Sequence, residues 1–280
     1  MLAGRPQPTF ATLASGVKLH YRIQGNPEGP WMVFINGLLS DTTMWAGVLP
    51  LLANDFRILT FDSRGQGKSD APLDGPYPTA LLASEAWELM IQLGIERPIL
   101  VGLSNGSAMS LELLTTYPDA FVGAVLVSSV PHIDFAMRLR AEHWAHCLEV
   151  GGPLLQFDAV APFLWGDRFL EARHSVLRAY HQVVTGEGSR PHGPLHQIRG
   201  IFGWDVRERL ALIKAPVLLV CGAEDLLTPP WKCLQTAKLI AHSRLELVPS
   251  VGHSYPVEDA KGFAGRIRRA VLEWKAGLAD

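Results

Sequence analysis

The chain of 280 residues reads as an α/β protein, a mostly parallel sheet with helices on both faces and one helical insertion. Three observations predict this. Short apolar runs recur along the chain, of a length and composition that suit strands buried on both faces. Segments with helical spacing separate them. One long stretch, 132–205, drops this rhythm and holds many helix formers but few strand-like runs.

In order, 17–23 alternates and reads as an early strand. A turn cluster, Asn26-Pro27-Glu28-Gly29-Pro30, follows. Residues 31–35 are apolar throughout and end in Asn36-Gly37. Residues 45–53 read as a helix, 57–61 as the next strand, and 62–69 as a loop. A helix is expected over 79–93, stopped by Gly94. Then come the strand 97–101 and the helix 107–114. Further strands are 124–128, ended by Pro131, then 216–221 and 244–248. The tail, 260–278, reads as an amphipathic helix.

Hydrophobic residues make up 48% of the chain, enough for a large core. The formal net charge of −2 favours neither nucleic acid nor an anionic membrane as partner. Cys147, Cys221 and Cys233 are scattered and odd in number, which fits a reducing compartment rather than a disulfide framework. Residues 1–12 hold no apolar stretch of signal-peptide length, and no run approaches the ~18 apolar residues of a membrane span. A cytoplasmic location is therefore expected.

The chemistry points to Gly102-Leu103-Ser104-Asn105-Gly106. A serine between two glycines at a strand-to-helix corner is a nucleophile elbow, and the corner is tight enough that its flanking positions must be small. A neutral serine needs a base within hydrogen-bond reach, and the base needs an acid to orient it. On such a sheet the order is serine, acid, histidine. The loop after 216–221 supplies two acids, Glu224 and Asp225, and the loop after 244–248 supplies His253. An oxyanion hole needs two backbone N–H groups, which Asn105 and Leu38 are placed to give, with Asn36 and Gly37 in support. The alternative for Asn36-Gly37 is a simple turn.

Together these residues resemble the α/β-hydrolase superfamily, over nearly the whole chain outside the insertion. Phe61-Asp62-Ser63-Arg64-Gly65-Gln66-Gly67-Lys68-Ser69 looks like its D-x-R-G-x-G-x-S loop. Gly222-Ala223-Glu224-Asp225 before Thr228-Pro229 looks like its acid loop, and Gly252-His253 like its histidine loop. The resemblance implies an eight-stranded sheet, a core built from 1–131 and 206–280, and a helical cap over 132–205. It also favours Asp225 over Glu224 as the triad acid. Serine at 104 sets the chain apart from epoxide hydrolases and haloalkane dehalogenases, which use aspartate there. Asn36-Gly37 departs from the commoner His-Gly. It is similar to the loop of 3-oxoadipate enol-lactonases and to that of rhamnolipid-precursor synthases, which join hydroxyacyl groups.

The expected activity is that of a cofactor-free serine hydrolase cleaving a carboxylic ester, lactone or thioester through an acyl-enzyme on Ser104, with His253 as base and Asp225 as its orienter. The expected partner is a small acyl substrate, largely apolar because Phe135, Trp144, Phe157, Phe163, Trp165, Phe169, Phe202 and Trp204 recur in the insertion. The protein is expected as a monomer or homodimer. Two alternatives use the same fold: an acyltransferase joining hydroxyacyl groups, and a low-turnover ligand-binding receptor. Seven of the ten histidines lie between His132 and His196. Gly193-Pro194 is expected to break any helix placing His192 and His196 on one face, so no metal is expected. Arg138, Arg140, Arg168, Arg173 and Arg178 tinge the insertion basic, and one of them is a candidate clamp for a substrate carboxylate. Ser128 and Ser129 follow a strand but lack the small-residue corner.

Overall fold

The computed structural model describes residues 9–185 and 191–277. Its sheet has eight strands: β1 (Thr9–Thr12), β2 (Lys18–Gly25), β3 (Trp31–Ile35), β4 (Arg57–Phe61), β5 (Ile99–Leu103), β6 (Gly123–Val127), β7 (Val217–Gly222) and β8 (Ser243–Val248). They lie in the order β1-β2-β4-β3-β5-β6-β7-β8. β2 runs antiparallel to β1 and β4, and every other pairing is parallel. The helices are α1 (Leu49–Leu52), α2 (Thr79–Gln92), α3 (Asn105–Thr116), α4 (Phe135–Leu164), α5 (Asp167–Val184), α6 (His192–Gly200), α7 (Pro230–Leu239), α8 (Tyr255–Glu258) and α9 (Ala260–Gly277).

Successive side chains of a strand point to opposite faces, so each apolar run feeds two cores. Val33, Ile35 and Leu100 pack with Leu82, Ala86, Leu111 and Leu114 of α2 and α3. Met32, Phe34, Ile99 and Val101 pack with Leu52 of α1 and Phe263, Ile267 and Val271 of α9. This two-sided burial explains why the central strands read as continuous apolar runs.

Several elements differ from the sequence reading. β1 is a four-residue edge strand, mostly exposed, recognisable only through its pairing with β2. Residues 45–53 do not form one helix. A 3-10 turn, Thr42–Trp45, is capped by the Asp41 carboxylate, which accepts from the Thr43 N–H at 2.7 Å, and α1 is a single turn with Pro50 near its start. α3 begins at Asn105, directly after the corner serine. His192 and His196 do share a helix, because Pro194 sits in the first turn of α6, where a missing N–H breaks no intrahelical bond. Their ring centroids are 6.2 Å apart, but His192 Nε2 meets the Ala71 carbonyl at 2.8 Å and His196 packs on Tyr77. The predicted tail end at Leu278 lies outside the described residues, as do 1–8 and, within the insertion, 186–190.

Helices α4 to α6 stand between β6 and β7. Gly152, at φ 71° and ψ −171°, divides α4 into two helical segments, the second opening at Pro153. The chain leaves and rejoins the sheet at one place. His132 and Asp205 form an antiparallel bridge, Ile133 N–H donates to the Trp204 carbonyl at 3.0 Å, and Val206 N–H donates to that of Pro131 at 3.0 Å. No helix among the described residues is long and apolar enough to cross a membrane.

Candidate active site

The β5–α3 corner is held open by what its neighbours lack. Ser104 sits at φ 55° and ψ −115°, a conformation that costs a non-glycine residue about 1–3 kcal/mol and persists only where the surroundings enforce it. The enforcement is visible. The Ser104 N–H donates to the Val127 carbonyl at 2.9 Å, and Ser107 Oγ lies 2.9 Å from the Gly102 carbonyl and 2.8 Å from that of Val127. A Cβ on Gly106 would stand 2.1 Å from the Ile35 carbonyl oxygen, and one on Gly102 2.5 Å from that of Gly106. Both glycines are steric necessities, and the N-terminus of α3 points at the serine.

Beside this corner lies the loop after β3. Asn36 is buried, its Oδ1 accepting from Trp45 Nε1 at 2.8 Å and its Nδ2 donating to the Phe61 carbonyl at 2.8 Å. A Cβ on Gly37 would stand 3.6 Å from Ser104 Cβ, in ordinary contact. The missing side chain therefore keeps space free beside the serine rather than relieving a clash. The backbone N–H groups of Leu38 and Asn105 have no acceptor among the described residues.

Asp225 and His253 meet from the loops after β7 and β8. His253 Nδ1 lies 3.0 Å from Asp225 Oδ2 and 3.1 Å from Thr228 Oγ1. The carboxylate also accepts from the N–H groups of Leu227 at 2.9 Å and Thr228 at 2.7 Å, and from the Thr228 hydroxyl at 2.7 Å. Burial pushes the Asp225 carboxyl up, but the adjacent His253 and the Thr228 donors outweigh it and hold it below its ordinary value. Ser128, left-handed at φ 54°, donates from Oγ to the His253 carbonyl at 2.9 Å, so this serine steadies the histidine loop. Ser104 Oγ makes no hydrogen bond among the described residues. The structure thus brings Asp225 and His253 together and sets both Ser104 and His253 in the wall of one cavity.

That cavity, of about 640 Å3, lies between the strand ends and α4 and α5. Trp144, Phe157 and Trp165 line it with Leu38, Met137 and Val160. Of the other aromatics, Phe135 is exposed, and Trp204 joins the sheet's own core and donates from Nε1 to Glu112 at 2.8 Å. His181 also lines the cavity. It stacks on Phe157 with centroids 4.9 Å apart and donates from Nε2 to the Pro153 carbonyl at 3.0 Å. Burial pushes its imidazole below the ordinary histidine value, which favours the neutral form. No lysine or arginine is among the described lining residues. Arg138 pairs with Glu142, Arg178 with Asp158, and Arg140 donates to the carbonyls of Leu226 and Leu227, while Arg168 and Arg173 are exposed. The carboxylate clamp suggested by their sequence positions is not built.

Glu224 does not reach the histidine. Its Oε2 accepts from the Asp167 N–H at 3.1 Å, and Glu258 accepts from Gly166 N–H at 3.2 Å and Gly252 N–H at 2.9 Å. Two carboxylates of the sheet side thus cap the N-terminus of α5. Sequence reading missed Thr228, Ser128 and His181. Only Thr228 left a signal, as the hydroxyl residue three places after an aspartate in a turn.

Residues 30–260 match the family described as alpha/beta hydrolase fold. A curated relative from Stutzerimonas stutzeri, RutD, named for carbamate hydrolysis, is 27% identical over 253 residues, 88% of this chain and 93% of the relative. Among solved structures, the enol-lactonase from Burkholderia xenovorans superposes with a TM-score of 0.83 at 28% identity, covering 96% of this chain and all of that one. A hydrolase from Pseudomonas aeruginosa superposes with a TM-score of 0.84 at 27% identity, covering 97% of this chain and 99% of that one. With the match spanning the sheet from β3 to the start of α9, the chain belongs to the α/β-hydrolase fold family and is a hydrolase.

Proposed function

We propose that the protein is a serine hydrolase that cleaves an uncharged, largely apolar carboxylic ester, lactone or thioester through an acyl-enzyme. The observation that carries this is the shared cavity: the corner serine and His253, itself paired with Asp225, face the same largely apolar space. Ser104 Oγ attacks the carbonyl carbon while His253 Nε2 takes its proton. The developing oxyanion is received by the N–H groups of Leu38 and Asn105, each such donor being worth about 2.7–4 kcal/mol in the barrier. The proton passes to the departing alcohol or thiol. Water, deprotonated by His253, then releases the acid. Asp225 fixes the imidazole so that Nε2 is free to act. The open serine–histidine contact is compatible with this, since such contacts tighten when substrate binds.

The wall chemistry supports the substrate class. A cavity of about 640 Å3 falls within the range of about 300–1,000 Å3 that holds drug-sized ligands, far more than a carbamate fills. With no lysine or arginine in the described wall, a His181 held below its ordinary value and the Asp41 carboxylate at its edge, the wall disfavours an anionic acyl portion. The helices α4 to α6 serve as the cap that supplies this wall.

The test is direct. Wild type should react with a fluorophosphonate probe at Ser104 and turn over p-nitrophenyl acyl esters. Ser104→Ala should lose both, with its melting temperature nearly unchanged. Retained turnover in Ser104→Ala would remove the serine from the mechanism. Labelling without turnover of esters, lactones or thioesters would favour a receptor. Partitioning of the acyl-enzyme to an added hydroxylated acceptor ahead of water would favour acyl transfer.

A further inference from the structure

Gln66 lies in the loop after β4 and is 4% exposed. Its amide is fully matched. Oε1 accepts from the Ser63 N–H at 3.2 Å and Asn36 Nδ2 at 3.3 Å. Nε2 donates to the Gly37 carbonyl at 2.8 Å and to Gln197 Oε1, on α6, at 3.4 Å. Gln197 in turn donates from Nε2 to the Arg64 carbonyl at 2.7 Å, which fixes which end of its amide is the acceptor. Trp45, Asn36, Gln66 and Gln197 form one buried amide network, so neither glutamine can flip without stranding a polar group.

The consequence falls on one peptide plane. The Gly37 carbonyl accepts from Gln66 Nε2 and, at 2.8 Å, from Ser40 Oγ. Gly37–Leu38 is a trans peptide, in which the carbonyl and the following N–H point in opposite directions. Holding the carbonyl toward Gln66 therefore turns the Leu38 N–H the other way. That N–H has no acceptor among the described residues, and Leu38 lines the cavity beside Ser104. The next residue, Leu39, is held left-handed at φ 60°, a state that needs outside support in a non-glycine residue.

We propose that Gln66, keyed by Gln197 from α6, is a positioning residue that presets the Leu38 backbone donor for the developing oxyanion. The proposal rests on the reading of Leu38 as that donor. It ties the seating of α6 to the chemical step, because the same amide that orients Gly37 is oriented from α6.

The experiment compares full-length wild type, Gln66→Glu and Gln66→Leu with p-nitrophenyl butyrate and a fluorophosphonate probe, with rates expressed per labelled site. Gln66→Glu keeps the size and an acceptor for Ser63 but loses the donors. It should lower kcat about 10- to 100-fold, less than the roughly 100- to 1,000-fold expected for deleting a donor outright. KM should stay within about twofold, and phosphonylation should slow in proportion, since its oxygen occupies the same donors. The deficit of Gln66→Glu relative to wild type should narrow as pH falls, because the introduced carboxyl regains one donor once protonated. Ser40→Ala, which removes the other partner of the Gly37 carbonyl from a half-buried loop, should lower kcat about 4- to 10-fold. It keeps the idea testable where a Gln66 variant fails to fold. A kcat per labelled site and a labelling rate within about twofold of wild type, in the Gln66 variants or in Ser40→Ala, would overturn the proposal. So would a loss confined to melting temperature and the number of labelled sites. Wild type that fails to label would overturn the serine mechanism itself, whereas labelled wild type with unaffected variants overturns this inference alone.

Discussion

Asp225 shows how much one carboxylate is asked to hold. It takes two backbone N–H groups, a hydroxyl and an imidazole while almost wholly buried. Asp225→Asn keeps the size but offers an amide where the imidazole needs an acceptor, so kcat should fall about a thousandfold or more. A rate near wild type would take Asp225 out of the mechanism. Stability follows from the same contacts. Because the folded state holds this carboxyl below its ordinary value of 3.8, its stabilising share is present above that value and lost as pH falls through the folded-state value. The stability gap between wild type and Asp225→Asn should be full at neutral pH and close below about pH 3.8, as denaturant titrations at graded pH would read. Ser104 and its two glycines are legible in the sequence because their demand is steric and local. Thr228, Ser128 and Gln66 are not, because each acts through a hydrogen bond to a residue brought near only by the fold.

At the scale of elements, the central parallel strands β3, β5, β6 and β7 are plain because burial on both faces leaves hardly any polar position to blur the run. β1 is not, since an exposed edge strand of four residues carries no pattern of its own. The helix expected over 45–53 fails because Asp41 starts a 3-10 turn and Pro50 restarts the chain as a new helix. α6 escapes the sequence reading because its proline opens a helix rather than breaking one. The seat of α5 is also hidden, since its caps arrive from far along the chain, Glu224 from the loop after β7 and Glu258 from the end of α8. Glu258→Ala frees the N–H groups of Gly166 and Gly252 and should cost about 1–2 kcal/mol. Faster hydrogen exchange through the first turn of α5 than elsewhere in the protein would locate that cost. Unchanged exchange there would show that α5 is seated by other contacts.

For the molecule as a whole, the sheet sets Ser104 and His253 at one rim and the helices beyond β6 set the volume above them. The cavity predicts a graded response to the acyl chain. kcat/KM for p-nitrophenyl esters should rise with apolar chain length, by about 0.8 kcal/mol of binding per added methylene, until the space is filled. Half-esters ending in a carboxylate should react at least tenfold more slowly than uncharged esters of equal length, since no cation stands in the described wall. Equal rates for the two would locate a cation outside that wall. The fold class is readable from residue patterns, because apolar runs and helical segments alternate along the chain. The wall's lack of lysine and arginine is not, because it depends on where Arg138, Arg178 and Arg140 find their partners: Glu142, Asp158 and two backbone carbonyls.

The pairing of Pro131 and Ile133 with Val206 and Trp204 gives the sheet a single doorway. Whatever chain lies beyond it is closed off by the same few hydrogen bonds, and lengthening a closed loop adds little to its entropic cost. Apart from α6, whose Gln197 meets Gln66, the segment beyond the doorway is therefore free to lengthen, shorten or be exchanged while the residues at the rim keep their places. Preference for one substrate over another becomes a property that can drift in evolution, or be grafted between relatives, without rebuilding the machinery underneath.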